Sequence, residues 1–107
     1  MRINFAGGIA GALCLIAMLA FAGDKKETFK PKEGYVPDAA TAIKIAVAVW
    51  SPIYGADQIE KEKPYKARLS NGIWTVEGSL PKGPLGGVAD ADIAKDDGRI
   101  LRVIHGQ

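Results

Sequence analysis

The side chains able to do chemistry in this 107-residue sequence are few. There is one histidine, His105, and one cysteine, Cys14. Catalysis by side chains requires a base, a nucleophile or a bound metal, each held in place by a neighbour. His105 is third from the end of the sequence. A fraying tail is a poor mount for a triad, so His105 reads as a surface side chain ending a strand. Asp90 and Asp92 stand two apart, which puts both carboxylates on one face of a strand. Such a pair suits acid–base work or a hard cation. Arg102, however, is placed to pair with Asp92, and an ion-paired or solvated face explains the same residues. Asp96-Asp97-Gly98 lacks the further ligands of a calcium loop and is more simply a turn. Gly83, Gly86 and Gly87 have no Lys-Ser/Thr after them and no strand-to-helix context, so they do not make a phosphate loop. No catalytic residue, metal ligand or cofactor is assigned. What remains is binding character. Asp90, Asp92 and Arg102 fall on one face with Ile100 and Ile104, and apolar side chains among charges are what an interface shows. These five are the candidate partner-binding residues.

The elements that must position them follow from periodicity. Asp38 is a good N-cap behind Pro37, and the spacing predicts a helix from about Ala39 to Trp50, ended by Ser51-Pro52. Ile43, Ala46, Val47 and Trp50 form its apolar stripe, and only Thr41 and Lys44 are polar. A helix this apolar requires cover over much of its circumference, as from a sheet curled around it. Period two then takes over, from Ile59 to Leu69, with Pro64 marking an edge or a bend. Asn71-Gly72 is a strong hairpin signal. It sets Leu69 against Trp74, Ala67 against Val76 and Lys66 against Glu77. Trp50 and Trp74 are spaced as core residues. A Gly/Pro loop over 78–87 leads to a second hairpin, Val88 to Ala94 and Arg99 to His105. With Gly98 left-handed in the turn, Lys95 meets Arg99, Ile93 meets Leu101, Asp92 meets Arg102 and Ala91 meets Val103. The expected fold is α+β, with an N-terminal helix packed on a curved antiparallel sheet of about four strands.

The first residues belong to a different kind of segment. Arg2 is followed by an apolar or small run from Ile9 to Phe21, and Ala20-Phe21-Ala22 precedes the charged stretch that starts at Asp24. This is the pattern of a signal peptide over residues 1–22, cleaved between Ala22 and Gly23. An uncleaved membrane anchor is the alternative, although Gly7, Gly8 and Gly11 break the N-terminal segment and its strongly apolar part is short of the roughly 20 residues needed to span. Leu13 before Cys14 does not fit a lipidation motif, which needs a small residue there. Removal of 22 residues leaves 85, with no cysteine and one more base than acid. Such a chain has no basic field for nucleic acid and meets the membrane only through its signal segment. Residues 23–33 read as a flexible tether and 34–107 as the domain. Export places the product in the periplasm or outside the cell.

Several blocks of the sequence resemble a known family. Gly34-Tyr35-Val36-Pro37-Asp38-Ala39-Ala40-Thr41-Ala42-Ile43-Lys44-Ile45-Ala46 and Pro52-Ile53-Tyr54-Gly55 look like the opening of the YbbC/YhhH family. These are nuclear-transport-factor-2-fold immunity proteins of bacterial polymorphic toxin systems. Lys63-Pro64-Tyr65-Lys66-Ala67, Trp74-Thr75-Val76, Gly86-Gly87-Val88-Ala89, Asp97-Gly98-Arg99-Ile100-Leu101-Arg102-Val103 and His105-Gly106 are similar to its later blocks. The resemblance covers most of residues 34–106. It implies a cone-like fold, here in reduced form with one clear helix, and neutralisation of a cognate toxin by direct binding. It supplies no catalytic residue and no assigned interface. Two other readings of the same residues are a secreted domain binding a small ligand in an apolar pocket between helix and sheet, and an enzyme using Asp90 and Asp92.

Overall fold

The computed structural model describes residues 27–80 and 86–106. The expected signal peptide, its helix, the cleavage point at Ala22–Gly23 and the start of the tether lie outside the described residues. Helix α1 spans Ala39–Tyr54 and a short helix α2 spans Ala56–Glu60. Four strands follow, β1 (Lys66–Ser70), β2 (Ile73–Glu77), β3 (Ala89–Ala94) and β4 (Ile100–His105). They form one antiparallel sheet in the order β1-β2-β3-β4. The helix packed on a four-stranded antiparallel sheet is the α+β architecture that the periodicities predict. Among the described residues no helix is long and apolar enough to cross a membrane.

Asp38 caps α1 by accepting a hydrogen bond from the Thr41 amide at 2.8 Å. The helix does not stop at Ser51-Pro52 but continues one further turn with Pro52 inside it. Proline costs a helix one donor. Here the donor is lost near the C-terminal end, from beneath the exposed Ala48, while Ser51 Oγ donates to the Val47 carbonyl at 2.8 Å. Gly55, at φ 99°, is what ends α1, and its amide closes the last turn on the Ser51 carbonyl. The buried stripe is Ala42, Ala46 and Trp50, rotated slightly from the expected one, with Ile43 and Val47 on its flank. Small side chains let α1 lie close on β1, β2 and β3. Its far side, including Ala40, Lys44 and Ala48, stays exposed, so the sheet covers one side of the helix rather than most of its circumference. The reason is that the far side is largely alanine, whose exposure costs little.

The first hairpin has the expected register: Lys66 opposite Glu77, Ala67 opposite Val76 and Leu69 opposite Trp74. Asn71 and Gly72 take positive φ of 50° and 76°, the backbone that a two-residue hairpin turn demands. The strand from Ile59 is shorter than expected, since Ile59 is a buried residue of α2 and pairing begins only at Lys66. Trp50 and Trp74 are both core residues, and Trp74 Nε1 donates to the Val36 carbonyl at 2.8 Å.

The second hairpin follows expectation at Asp92–Arg102 and Ala91–Val103 but departs from it near the turn. Ile93 meets Ile100, not Leu101, because a bulge shifts the register beside Asp92. The turn closes between Ala94 and Arg99 rather than between Lys95 and Arg99. Lys95 is committed elsewhere: its amide donates to the Gly72 carbonyl and its carbonyl accepts from the Val36 amide. The bulge restores the pairing that the longer turn displaces. Residues 30–36, part of which reads as tether in the sequence, lie along this turn. Lys30 pairs with Asp96 at 2.8 Å, and the Tyr35 amide donates to the Asp96 carbonyl at 2.9 Å. Gly34, at φ 93°, sits so close that a Cβ there would fall 2.5 Å from the Lys95 carbonyl oxygen.

Candidate functional site

Alternation along the strands divides the sheet into two faces. One face carries Ala67, Leu69, Trp74, Val76, Ala91 and Ile93 toward α1. The other carries Lys66, Arg68, Thr75, Glu77, Asp90, Asp92, Arg102 and Ile104, aligned by the ladder pairs Glu77–Asp90, Thr75–Asp92, Asp92–Arg102 and Asp90–Ile104. At its centre Arg102 bridges two carboxylates. Its Nε donates to Asp92 Oδ2 at 2.9 Å and its Nη2 donates to Asp90 Oδ1 at 3.1 Å. Thr75 Oγ1 donates to the other oxygen of Asp92 at 2.8 Å. The Arg102 hydrogen bond, reinforced by Thr75, holds the Asp92 carboxyl below the usual aspartate value despite partial burial. Arg68 reaches Glu77 at 3.6 Å on the same face.

The structure thus brings Asp90, Asp92, Arg102 and Ile104 together. Ile100 is different. The bulge sets it opposite the core residue Ile93, out of line with Arg102 and Ile104, so it does not join the charged face as the unbroken alternation implied. Both isoleucines are nonetheless uncovered, Ile100 at 41% and Ile104 at 45% exposure. This face offers fixed charges beside an exposed isoleucine. A guanidinium already occupies the position between the two aspartates that a cation would take. Among the described residues no group of three or more His, Cys, Asp or Glu is placed to hold a metal. An open depression of about 220 Å³ lies elsewhere, lined by Lys32, Glu33, Gly34, Gly72, Lys95 and Asp96. It is at the turn end of the sheet, not between helix and sheet.

A second polar cluster was not singled out from sequence. Glu62, just after α2, is fully buried. Its carboxylate accepts hydrogen bonds from the Ala89 amide at 2.7 Å and from Gln58 Nε2 at 2.9 Å. His105 Nε2 lies 2.7 Å from its second oxygen. An ionised carboxylate only accepts, so His105 presents Nε2–H to it. Burial pushes the Glu62 carboxyl up, but the three donors outweigh burial and hold it below the ordinary glutamate value. Gly78 makes the space: a Cβ there would lie 2.7 Å from Glu62 Oε1. His105 is therefore no fraying surface residue. It ends a paired strand opposite Ala89, rests against the Tyr54 ring at 5.0 Å between centroids, and ties β4 to α2. The cluster is a structural lock, with its carboxylate closed off from solvent.

The sequence profile of the family described as "NTF2 fold immunity protein" matches residues 41–107. The chain is also similar to "Uncharacterized protein YhhH" of Escherichia coli (strain K12), with 38% identity over 73 residues that cover 67% of this chain. That stretch spans 58% of the length of the relative. No solved structure matches the chain.

Proposed function

Since the chain belongs to the NTF2-fold immunity proteins, we propose that it neutralises a cognate bacterial toxin by direct protein–protein contact, through the sheet face centred on Asp90, Asp92 and Arg102. The observation that carries this reading is the placement of a bridged Asp–Arg–Asp cluster beside the exposed Ile104 on the face turned away from α1. A preformed cluster presents fixed charges, which give register and partner selection at little ordering cost. Ile104, with Ile100 at the margin, supplies the apolar contact.

The role is binding rather than turnover. Asp90 and Asp92 are occupied by Arg102 and Thr75, and the imidazole Nε2 of His105 is engaged by the buried Glu62. The site of action in this proposal is the periplasm or the cell exterior. Its support is the N-terminal pattern of Arg2, an apolar run to Phe21 and Ala20-Phe21-Ala22.

The test is protection. The full chain is expressed in bacteria challenged with a toxin domain encoded beside its gene, delivered to the periplasm in one strain and to the cytoplasm in another. Survival in the periplasmic strain, with a purified complex of the two chains, is the expected result. Unprotected cells and chains that do not associate overturn the proposal. Protection confined to the cytoplasmic strain overturns its location alone.

A further inference from the structure

The two edges of the sheet are not alike. Edge strand β1 carries Lys66 and Arg68 and follows Pro64, the residues that discourage another strand from adding. Edge strand β4 reads Ile-Leu-Arg-Val-Ile-His, with no proline, lysine or acid. Its one formal charge, Arg102, is held by Asp90 and Asp92 of its own chain. Among the described residues no segment pairs with the outer side of β4.

The ladder fixes which backbone groups that outer side offers. The Gly106 amide donates to the Val88 carbonyl at 2.9 Å, so residues 106, 104 and 102 turn their amides and carbonyls toward β3. By alternation Val103 and His105 turn theirs outward. The bulge lies beyond them, next to the Asp92–Arg102 pair, so this stretch is regular. An unpaired strand edge is satisfied by another extended chain, and the question is which chain.

We infer that it is the β4 strand of a second copy, paired antiparallel about a two-fold axis at Ile104. In this register the outward groups of Val103 face those of the partner's His105, and the reverse, giving four hydrogen bonds from groups already aimed outward. Ile104 faces the partner's Ile104 at the closely spaced, non-hydrogen-bonded position, which buries two exposed apolar side chains against each other. Each Arg102 is then four strand positions from its counterpart, roughly 13 Å. That exceeds the Debye length of about 8 Å at physiological salt. Shifting the register by one pairing step halves this separation, and a second step sets the arginines directly opposite, where like charges destabilise. Pairing of Ile104 with Ile104 therefore selects this register, and charge disfavours the shifts that bring the arginines together. The product is a continuous eight-stranded sheet with both α1 helices on one side and both Asp90–Asp92–Arg102 clusters on the other. Symmetric closure at one edge ends growth at two copies, since the other edges carry Lys66 and Arg68. The inference shares Ile104 with the toxin reading but is tested apart from it, because association is measured on this chain alone.

Sedimentation equilibrium on protein purified from cells expressing the full chain tests it. A monomer–dimer equilibrium is expected. Ile104→Lys, a change at an exposed position, should weaken the dimer by more than about tenfold by setting two ammonium groups face to face. In a Cys14→Ser background, Ile104→Cys should oxidise to a disulfide-linked dimer at least about tenfold faster than Ser70→Cys on the opposite edge, because opposed non-hydrogen-bonded positions meet disulfide geometry. Amide exchange at Val103 and His105 should slow as concentration rises. A chain that stays monomeric up to millimolar concentration, a dimer indifferent to Ile104→Lys, or equal oxidation of the two cysteine variants would each overturn the proposal. So would protection of Val103 and His105 that arises only when a toxin is bound, which would give this edge to the toxin instead.

Discussion

Replacing Glu62 with alanine removes three hydrogen bonds at once, from the Ala89 amide, Gln58 Nε2 and His105 Nε2. The Ala89 amide lies in the buried part of β3, and stranding a buried donor costs about 1–3 kcal/mol. Losing the two side-chain bonds and the packing of the Glu62 stem brings the total to about 3–5 kcal/mol, the range for breaking a buried charged network. Small domains have total stabilities near the low end of 5–15 kcal/mol, so the variant should be close to unfolding. Urea denaturation followed by circular dichroism measures this. With a slope of about 1.5 kcal/mol per molar, the midpoint should fall by roughly 2–3 M. Glu62→Gln preserves shape and one acceptor and should lose less. Its acid dependence should also differ. The Glu62 carboxyl is held below its ordinary value, so its contribution is complete above the unfolded value of about 4.3 and disappears as pH falls through the lower folded value. The glutamine variant should lack that component of acid unfolding. A loss below about 1 kcal/mol for Glu62→Ala would refute the view that this cluster locks β4 to α2.

Other substitutions test the remaining geometry. Arg102→Ala should change stability little, because the bridge is solvent-exposed, while NMR titration should show the Asp92 carboxyl rising from its lowered value once the guanidinium is gone. That stabilisation too is present above the unfolded value and lost as pH falls, so the two chains should converge in strong acid. Gly34→Ala should cost about 1–3 kcal/mol in thermal or urea unfolding, since it combines a positive φ with a collision on the Lys95 carbonyl.

Local signals made much of this fold legible. Asn71-Gly72 can form only a narrow set of turns, and alternation on both sides then fixes the first register residue by residue. Asp38 and the apolar run that follows fix the start of α1 in the same way. What escaped the sequence depends on distant partners. The bulge beside Asp92 exists because Lys95 bonds to Gly72 and Val36, contacts that the hairpin itself does not contain. It moves Ile100 off the charged face. The helix overruns Pro52 because the missing donor falls in its last turns, where little is lost. Glu62 sits in the run Glu60-Lys61-Glu62-Lys63, which has the composition of a solvated surface. Its partners Ala89 and His105 lie 27 and 43 residues further on. The one local hint was Gly78, a glycine at the end of a strand whose missing side chain is what makes room for the carboxylate. The charged cluster itself was legible in part: strand spacing puts Asp90 and Asp92 on one face, but Asp92 meets Arg102 as expected only because the bulge offsets the displaced turn.

The most direct test of the central claim is a calorimetric titration of the chain with the toxin domain encoded beside its gene, repeated with Asp92→Lys. Saturable binding with one toxin per chain is expected, weakened by at least about tenfold when the charge at the centre of the face is reversed. No binding, or binding of equal strength by Asp92→Lys, would contradict it.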